Sequence, residues 1–286
     1  MPHLTTPLGY HRGMASAEGS SLAVNRLAAR ADTALDLLML HGIYGRGRNW
    51  QAVARAIVAA RPDIACWLVD LPYHGHSGPG RHGDTVHGLA LDVLDWAGDA
   101  GVSPRVVLGH SYGGKVALAI AEQRRGTALQ VWVIDSTPDV KAPSGSAWQM
   151  LEVVRSLPDR FPSREAAQAD LQAGGYDRAV AQWMTTNLVR DGETFRWHLD
   201  FDAMERLLQD FFSASMWAVL ETPDPRHDLH LVKATRSSAI APDTLTRLRR
   251  AEGPNVHLHE REGGHWIHAE RPDLITELVL EHLPAD

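Results

Sequence analysis

Short apolar runs alternate along the chain with longer segments in which apolar residues return every three or four positions. The pattern predicts strands over Leu35–Leu40, Ile64–Val69, 105–108, 131–134, 229–232 and 256–259. The inner runs are almost wholly apolar, as expected of parallel strands covered on both faces. Helical spacing falls at 50–58, 89–97, 114–122 and 272–283. In the last of these Pro272 suits a first turn, and Leu274, Leu278 and Leu283 recur on one face. Strand–helix alternation with short connections implies an α/β fold with a mostly parallel central sheet flanked by helices.

Residues 139–225 break this rhythm. No strand is expected there, and helical patterns fall at 147–157, 164–173, 178–188 and 202–216. The segment holds Trp148, Trp183, Trp197 and Trp217 together with Phe195, Phe201, Phe211 and Phe212. It reads as a helical cap inserted into a core made of residues 20–138 and 226–286. Its aromatic residues would form a small core of their own and roof an apolar pocket.

Composition narrows the function classes. The 286 residues carry 28 Lys+Arg against 35 Asp+Glu, a net charge of −7, which argues against a general nucleic-acid binder. The single cysteine, Cys66, excludes an intrachain disulfide and sits in an apolar run, as a buried small residue would. No apolar stretch approaches the roughly 20 residues needed to span a bilayer. The first residues show no charged-then-apolar secretory pattern, so the expected location is the cytoplasm.

The chemistry concentrates in three loops. Gly109-His110-Ser111-Tyr112-Gly113 stands between an apolar strand and a helical run. A Gly-x-Ser-x-Gly turn in that context projects a serine hydroxyl from a strained bend, the small residues giving clearance. It also aims free N–H groups of the next helix at developing negative charge. Ser111 is therefore the candidate nucleophile. A serine needs a base, and His265, behind the flexible Gly263-Gly264 pair and ahead of the last helix, is the candidate; His268 reads as structural. The Tyr112 and Ile43 amides are candidate oxyanion donors, Ile43 lying on the loop His41-Gly42-Ile43-Tyr44-Gly45. His41 is expected to hold that loop, and Asn49 to cap the following helix. Neither His74, His76 and His82 nor the His257/His259 pair is accompanied by a ligand set with metal spacing, so no metal is assigned.

Together these residues resemble the α/β-hydrolase-fold superfamily. The likeness runs through the oxyanion loop His41-Gly42, the segment from Asp70 to His74-Gly75-His76-Ser77, the serine turn, the helical cap and Gly264-His265. It is most similar to the small carboxylesterase and acyl thioesterase branch, in His41-Gly42-Ile43-Tyr44-Gly45 and in Gly264-His265-Trp266-Ile267-His268-Ala269-Glu270-Arg271-Pro272. The resemblance implies a serine hydrolase that cleaves an ester or thioester through an acyl-enzyme, without a cofactor. In most of the superfamily the third triad member follows the strand after the cap; here that place holds Ser238. Asp135, in Val133-Ile134-Asp135-Ser136-Thr137-Pro138, is the substitute acid, with Asp243, which more naturally caps a helix, as the alternative. Tyr44, His110, Trp183 and Trp266 are candidate pocket residues, and the expected substrate is a small molecule with an apolar acyl or aryl group. Amide, lactone or carbon–carbon hydrolysis, perhydrolysis and a non-catalytic ligand receptor are the alternatives on this scaffold. Nothing in the sequence indicates an oligomeric state.

Overall fold

The computed structural model describes residues 22–284; the N-terminal residues read for a secretory signal and the first two of the expected core lie outside them. Among the described residues ten strands are formed: β1 (Val24–Ala28), β2 (Leu35–Leu40), β3 (Ile64–Val69), β4 (Pro104–His110), β5 (Leu129–Ile134), β6 (Arg160–Phe161), β7 (Leu188–Asp191), β8 (Thr194–Trp197), β9 (His227–Ala234) and β10 (Val256–Arg261). Helices α1 (Gln51–Ala60), α2 (Val86–Asp99) and α3 (Tyr112–Gln123) connect the early strands. Between β5 and β9 lie α4 (Ser146–Ser156), α5 (Arg164–Ala173), α6 (Arg178–Met184), α7 (Phe201–Ser213) and α8 (Trp217–Glu221). The chain closes with α9 (Pro242–Ala251), α10 (Ile267–Glu270) and α11 (Pro272–His282).

Seven strands form one sheet in the order β1-β3-β2-β4-β5-β9-β10. Only β1 runs antiparallel to its neighbour; the other pairs are parallel. Alternate residues of each inner strand enter opposite cores, because successive side chains leave a strand on opposite faces. Leu38, Leu40, Val107, Val131 and Val133 pack with α2 and α3. Leu37, Met39, Leu108, Trp132 and Ile134 pack with α1 and α11. Burial on both faces explains the unbroken apolar runs. Leu40 pairs with Gly109, Gly109 with Val133 and Val133 with Leu231. The carboxyl ends of these strands are thus level, and the loops after β2, β4 and β5 emerge along one crevice. Among the described residues no helix is long and apolar enough to cross a membrane.

Three features differ from the sequence expectations. The intervening segment is not all helical: β6, β8 and β7 form a three-stranded antiparallel sheet, and the helix expected over 178–188 stops at Met184 and passes through a 3-10 turn into β7. Strands of two to four residues are too short to print an alternation, and the β7–β8 hairpin turns on Gly192 at φ 63°. β1 is an edge strand whose residues are mostly half-buried, so Val24-Asn25-Arg26-Leu27-Ala28 shows no apolar run. Asn49 does not cap α1. It lies within a 3-10 turn over Gly47–Trp50, where its Oδ1 accepts the Arg46 amide at 2.6 Å. The other helices fall close to the expected segments. Asp200 caps α7 by accepting the Asp202 and Ala203 amides at 3.0 and 2.9 Å.

Candidate active site

Ser111 joins β4 directly to α3 with φ 51° and ψ −116°, a conformation that L-residues rarely adopt. The bend is held by Ser111 N donating to the Ile134 carbonyl at 3.0 Å and Gly114 N to the Ser111 carbonyl at 2.9 Å. It needs glycine on both sides. A Cβ at Gly109 would strike the Gly113 carbonyl, and one at Gly113 would stand 2.5 Å from the Leu40 carbonyl oxygen. Only backbones without side chains can pass so closely.

His265 arrives from the loop after β10. Its Nδ1 lies 2.7 Å from Oδ2 of Asp135, which is wholly buried at the end of β5. Since a carboxylate only accepts, this nitrogen carries the proton and Nε2 is left as an acceptor. The other carboxylate oxygen accepts the Ala234 amide at 3.1 Å, and Asp135 N donates to the Val232 carbonyl. Asp135 also has a positive φ, 47°. Asp243 lies elsewhere, in the first turn of α9 behind Pro242, facing a different depression with Glu221 and Arg247. Ser238 lines the crevice without touching His265 through a hydrogen bond among the described residues.

Two adjoining cavities meet at Ser111 and His265. One, of about 130 Å³, is walled by Tyr44, His110, Met150, Val180, Trp183 and Trp266. All four expected pocket residues are in it, and Trp183 meets Trp266 edge-to-face at 4.1 Å. The other, of about 250 Å³, is more polar and includes Asp135, Lys141, Ser144, Arg236 and Ser237. Of the four non-glycine residues with positive φ among the described residues, Tyr44, Ser111 and Asp135 border these cavities. Strain of this kind persists where the surroundings hold it for a purpose.

The Ile43 loop is built on two buried, neutral imidazoles. His41 donates from Nδ1 to the Gly42 carbonyl (2.8 Å) and accepts the Leu71 amide at Nε2 (3.0 Å). His74 donates to the Pro72 carbonyl (2.8 Å) and accepts the Tyr44 amide (3.1 Å). Burial pushes their pKa values down to about 4 and about 3, so both act as fixed hydrogen-bond pivots. His74 thus positions the loop, which the sequence did not reveal; His76 and His82 do not join it in a metal-holding group. The Tyr44 amide is taken by His74 and the Gly45 amide by the Gly42 carbonyl. Among the described residues neither the Ile43 nor the Tyr112 amide has a protein acceptor.

His110 is buried behind the site. Its Nε2 donates to the His265 carbonyl at 2.8 Å, and its ring lies 4.1 Å from that of His268. Burial drives His110 well below the usual histidine range, and His268 to about 3. His268, which the sequence suggested as structural, packs 4.7 Å from Trp50. Lys115, on α3, is also fully buried. Its ammonium donates to the carbonyls of Asp139, Phe211 and Ala214 at 2.8, 2.5 and 2.7 Å, joining the serine-bearing helix to the start of the intervening segment and to the end of α7.

The family model of the alpha/beta hydrolase family matches residues 37–278. The chain belongs to that family. This hydrolase is 25% identical over 253 residues to the sn-1-specific diacylglycerol lipase ABHD11 of Mus musculus, covering 86% of this chain and 80% of the relative. It is 25% identical over 263 residues to Lipase LipV of Mycobacterium tuberculosis, covering 86% and 92%. A solved marine microorganism esterase superposes with a TM-score of 0.79 at 20% identity, over 92% of the hydrolase and 100% of that chain. The fold and the enzyme class are those the sequence led one to expect.

Proposed function

We propose that the protein hydrolyses carboxylic esters through an acyl-Ser111 intermediate. His265 removes the hydroxyl proton as Ser111 attacks the acyl carbonyl, and Asp135 holds the imidazole in the tautomer that leaves Nε2 free. The Ile43 and Tyr112 amides, both without a protein acceptor among the described residues, stabilise the oxyanion. His265 then protonates the leaving alcohol, and water activated by the same imidazole releases the acid. Residues 139–225 act as the cap. The acyl group enters the aromatic cavity of Tyr44, Trp183 and Trp266, and the leaving group lies along the polar one. The observation that carries this reading is the 2.7 Å contact of His265 Nδ1 with a buried carboxylate, beside a cavity lined by Ser111. Lipases and esterases among the relatives favour oxygen esters; a thioester would use the same steps.

The test compares wild type and Ser111→Ala on p-nitrophenyl acyl esters and acyl thioesters of graded chain length, with fluorophosphonate labelling alongside. Expected are labelling of the wild type only and loss of turnover in the variant. Near wild-type turnover by Ser111→Ala would overturn the assignment, and folded wild type that neither labels nor turns over would favour the ligand-receptor reading instead.

A further inference from the structure

On the sheet face that carries α1 and α11, below the catalytic end of the strands, four histidines collect at the β9–β10 edge. His230 and His257 are register neighbours, His259 is two residues further along β10, and His282 ends α11. Ring centroids of His230, His259 and His282 are 5.0–5.3 Å apart. One ring nitrogen from each of these three lies within 4.8 Å of the others. The His257/His259 pair, unremarkable in the sequence, therefore gains two partners that only the fold supplies.

The hydrogen bonds around the cluster dictate where its protons sit. Indole nitrogen only donates, so the 3.0 Å contact of Trp132 Nε1 with Gln130 Oε1 fixes the orientation of the Gln130 amide. Its NH₂ then donates to Asp228 Oδ2 (2.9 Å) and to the His282 carbonyl (2.7 Å). Asp228 accepts in turn from His230 Nε2 and from His257 Nε2, each at 2.9 Å. His230 thus carries its proton on Nε2 and presents a bare Nδ1. His282 Nδ1 donates to the Leu278 carbonyl at 3.0 Å, leaving a bare Nε2. The third nitrogen, His259 Nε2, stands 3.0 Å from His230 Nδ1.

We propose that His230 Nδ1, His259 Nε2 and His282 Nε2 form a binding site for one zinc-class divalent cation. Three neutral imidazoles suit zinc and the later first-row metals. With Zn–N of about 2.0–2.1 Å, ligand nitrogens in a tetrahedral site stand about 3.3–3.4 Å apart, so small ring rotations complete it. The ion takes the place of the single proton between His230 and His259, and His259 carries its proton on Nδ1 instead. The Asp228–His230 contact is the carboxylate–histidine pair that orients metal ligands. His230 is held further by stacking on Trp132 at 4.0 Å and 14°. His259 and His282 are half-buried, which gives an ion and a fourth, solvent ligand access. The ion would tie α11 to the edge strand β10, away from Ser111, as a structural clip.

Untagged full-length protein is titrated with Co²⁺, with Zn²⁺ as competitor. One equivalent should bind with the intense visible absorption of a four-coordinate ion, and Zn²⁺ should displace it. A hundredfold excess over Kd should raise Tm by about 5 °C. His259→Gln and His282→Gln should each abolish the spectrum, Asp228→Asn should weaken binding about 10–100-fold, and His82→Gln should change nothing. Ester turnover of the metal-free variants, equal to wild type, would show that they fold. Absence of saturable uptake, or uptake unaltered in both His259→Gln and His282→Gln, overturns the proposal.

Discussion

Asp135→Asn is the sharpest test of the proposed chemistry, because the structure dictates what the new amide must do. In the wild type one carboxylate oxygen accepts the Ala234 amide and the other accepts His265 Nδ1–H. The Ala234 N–H can only donate, so the Asn carbonyl must face it. The NH₂ group then faces His265, whose Nδ1 becomes an acceptor and whose proton moves to Nε2. That nitrogen can no longer receive the Ser111 proton. The opposite flip restores the tautomer but sets two donors against each other in a fully buried place, costing about 1–3 kcal/mol, and still leaves the imidazolium without a carboxylate to stabilise it. The same substitution in a protease triad lowers kcat about 10⁴-fold by this route, or about 5.4 kcal/mol of transition-state stabilisation. The assay is kcat/KM on a p-nitrophenyl ester for wild type, Asp135→Asn and Asp243→Asn, with Tm measured in parallel. Expected are a fall of about 10³–10⁴ for Asp135→Asn and none beyond twofold for Asp243→Asn. A loss under tenfold at position 135 in folded protein would refute the tautomer argument.

Other expectations follow from burial and sterics. His41, His74 and His268 have pKa values pushed down to about 4, 3 and 3, so the unfolded chain binds protons below pH 6.5 that the folded chain refuses. Stability is therefore complete above pH 6.5 and falls with acid by up to about 1.4 kcal/mol per histidine per pH unit; a Tm unchanged between pH 7.5 and 5 would contradict it. Lys115→Met removes the donor shared by three carbonyls and should lower stability in urea by about 2–4 kcal/mol, against less than 0.5 if the ammonium is idle. Gly113→Ala, whose Cβ meets the Leu40 carbonyl at 2.5 Å, should prevent folding or cost more than about 3 kcal/mol. Gly98→Ala, in α2 with nothing within 4 Å, should be neutral or stabilise by up to about 1 kcal/mol; urea melts of the two separate the steric reading from a general intolerance of alanine.

Much of the fold was legible because its signals are local. Strands buried on both faces must be apolar throughout, so β2 to β5 announced themselves. The serine turn is equally local, since its clearance is decided by Gly109 and Gly113 within two residues of Ser111. Elements that earn their stability from partners were not legible. β1 is half-exposed, β6 to β8 are too short to print a period, and Asn49 was drawn into a 3-10 turn by the Arg46 amide. His74 was legible only as part of the segment from Asp70 to Ser77 and not by what it does, because it accepts an amide 30 positions earlier.

By itself the sequence determined the alternation of strands and helices, the sharp serine turn and the loops available to serve it. Hydrophobic period and steric clearance act over a few residues and leave their mark there. The tertiary structure decided which carboxylate reaches His265, bringing Asp135 to 2.7 Å and leaving Asp243 in the first turn of α9. It also drew His230, His259 and His282 from two strands and a helix into one cluster. Both depend on distances between groups far apart in the chain, which strand order and register set and no local pattern encodes.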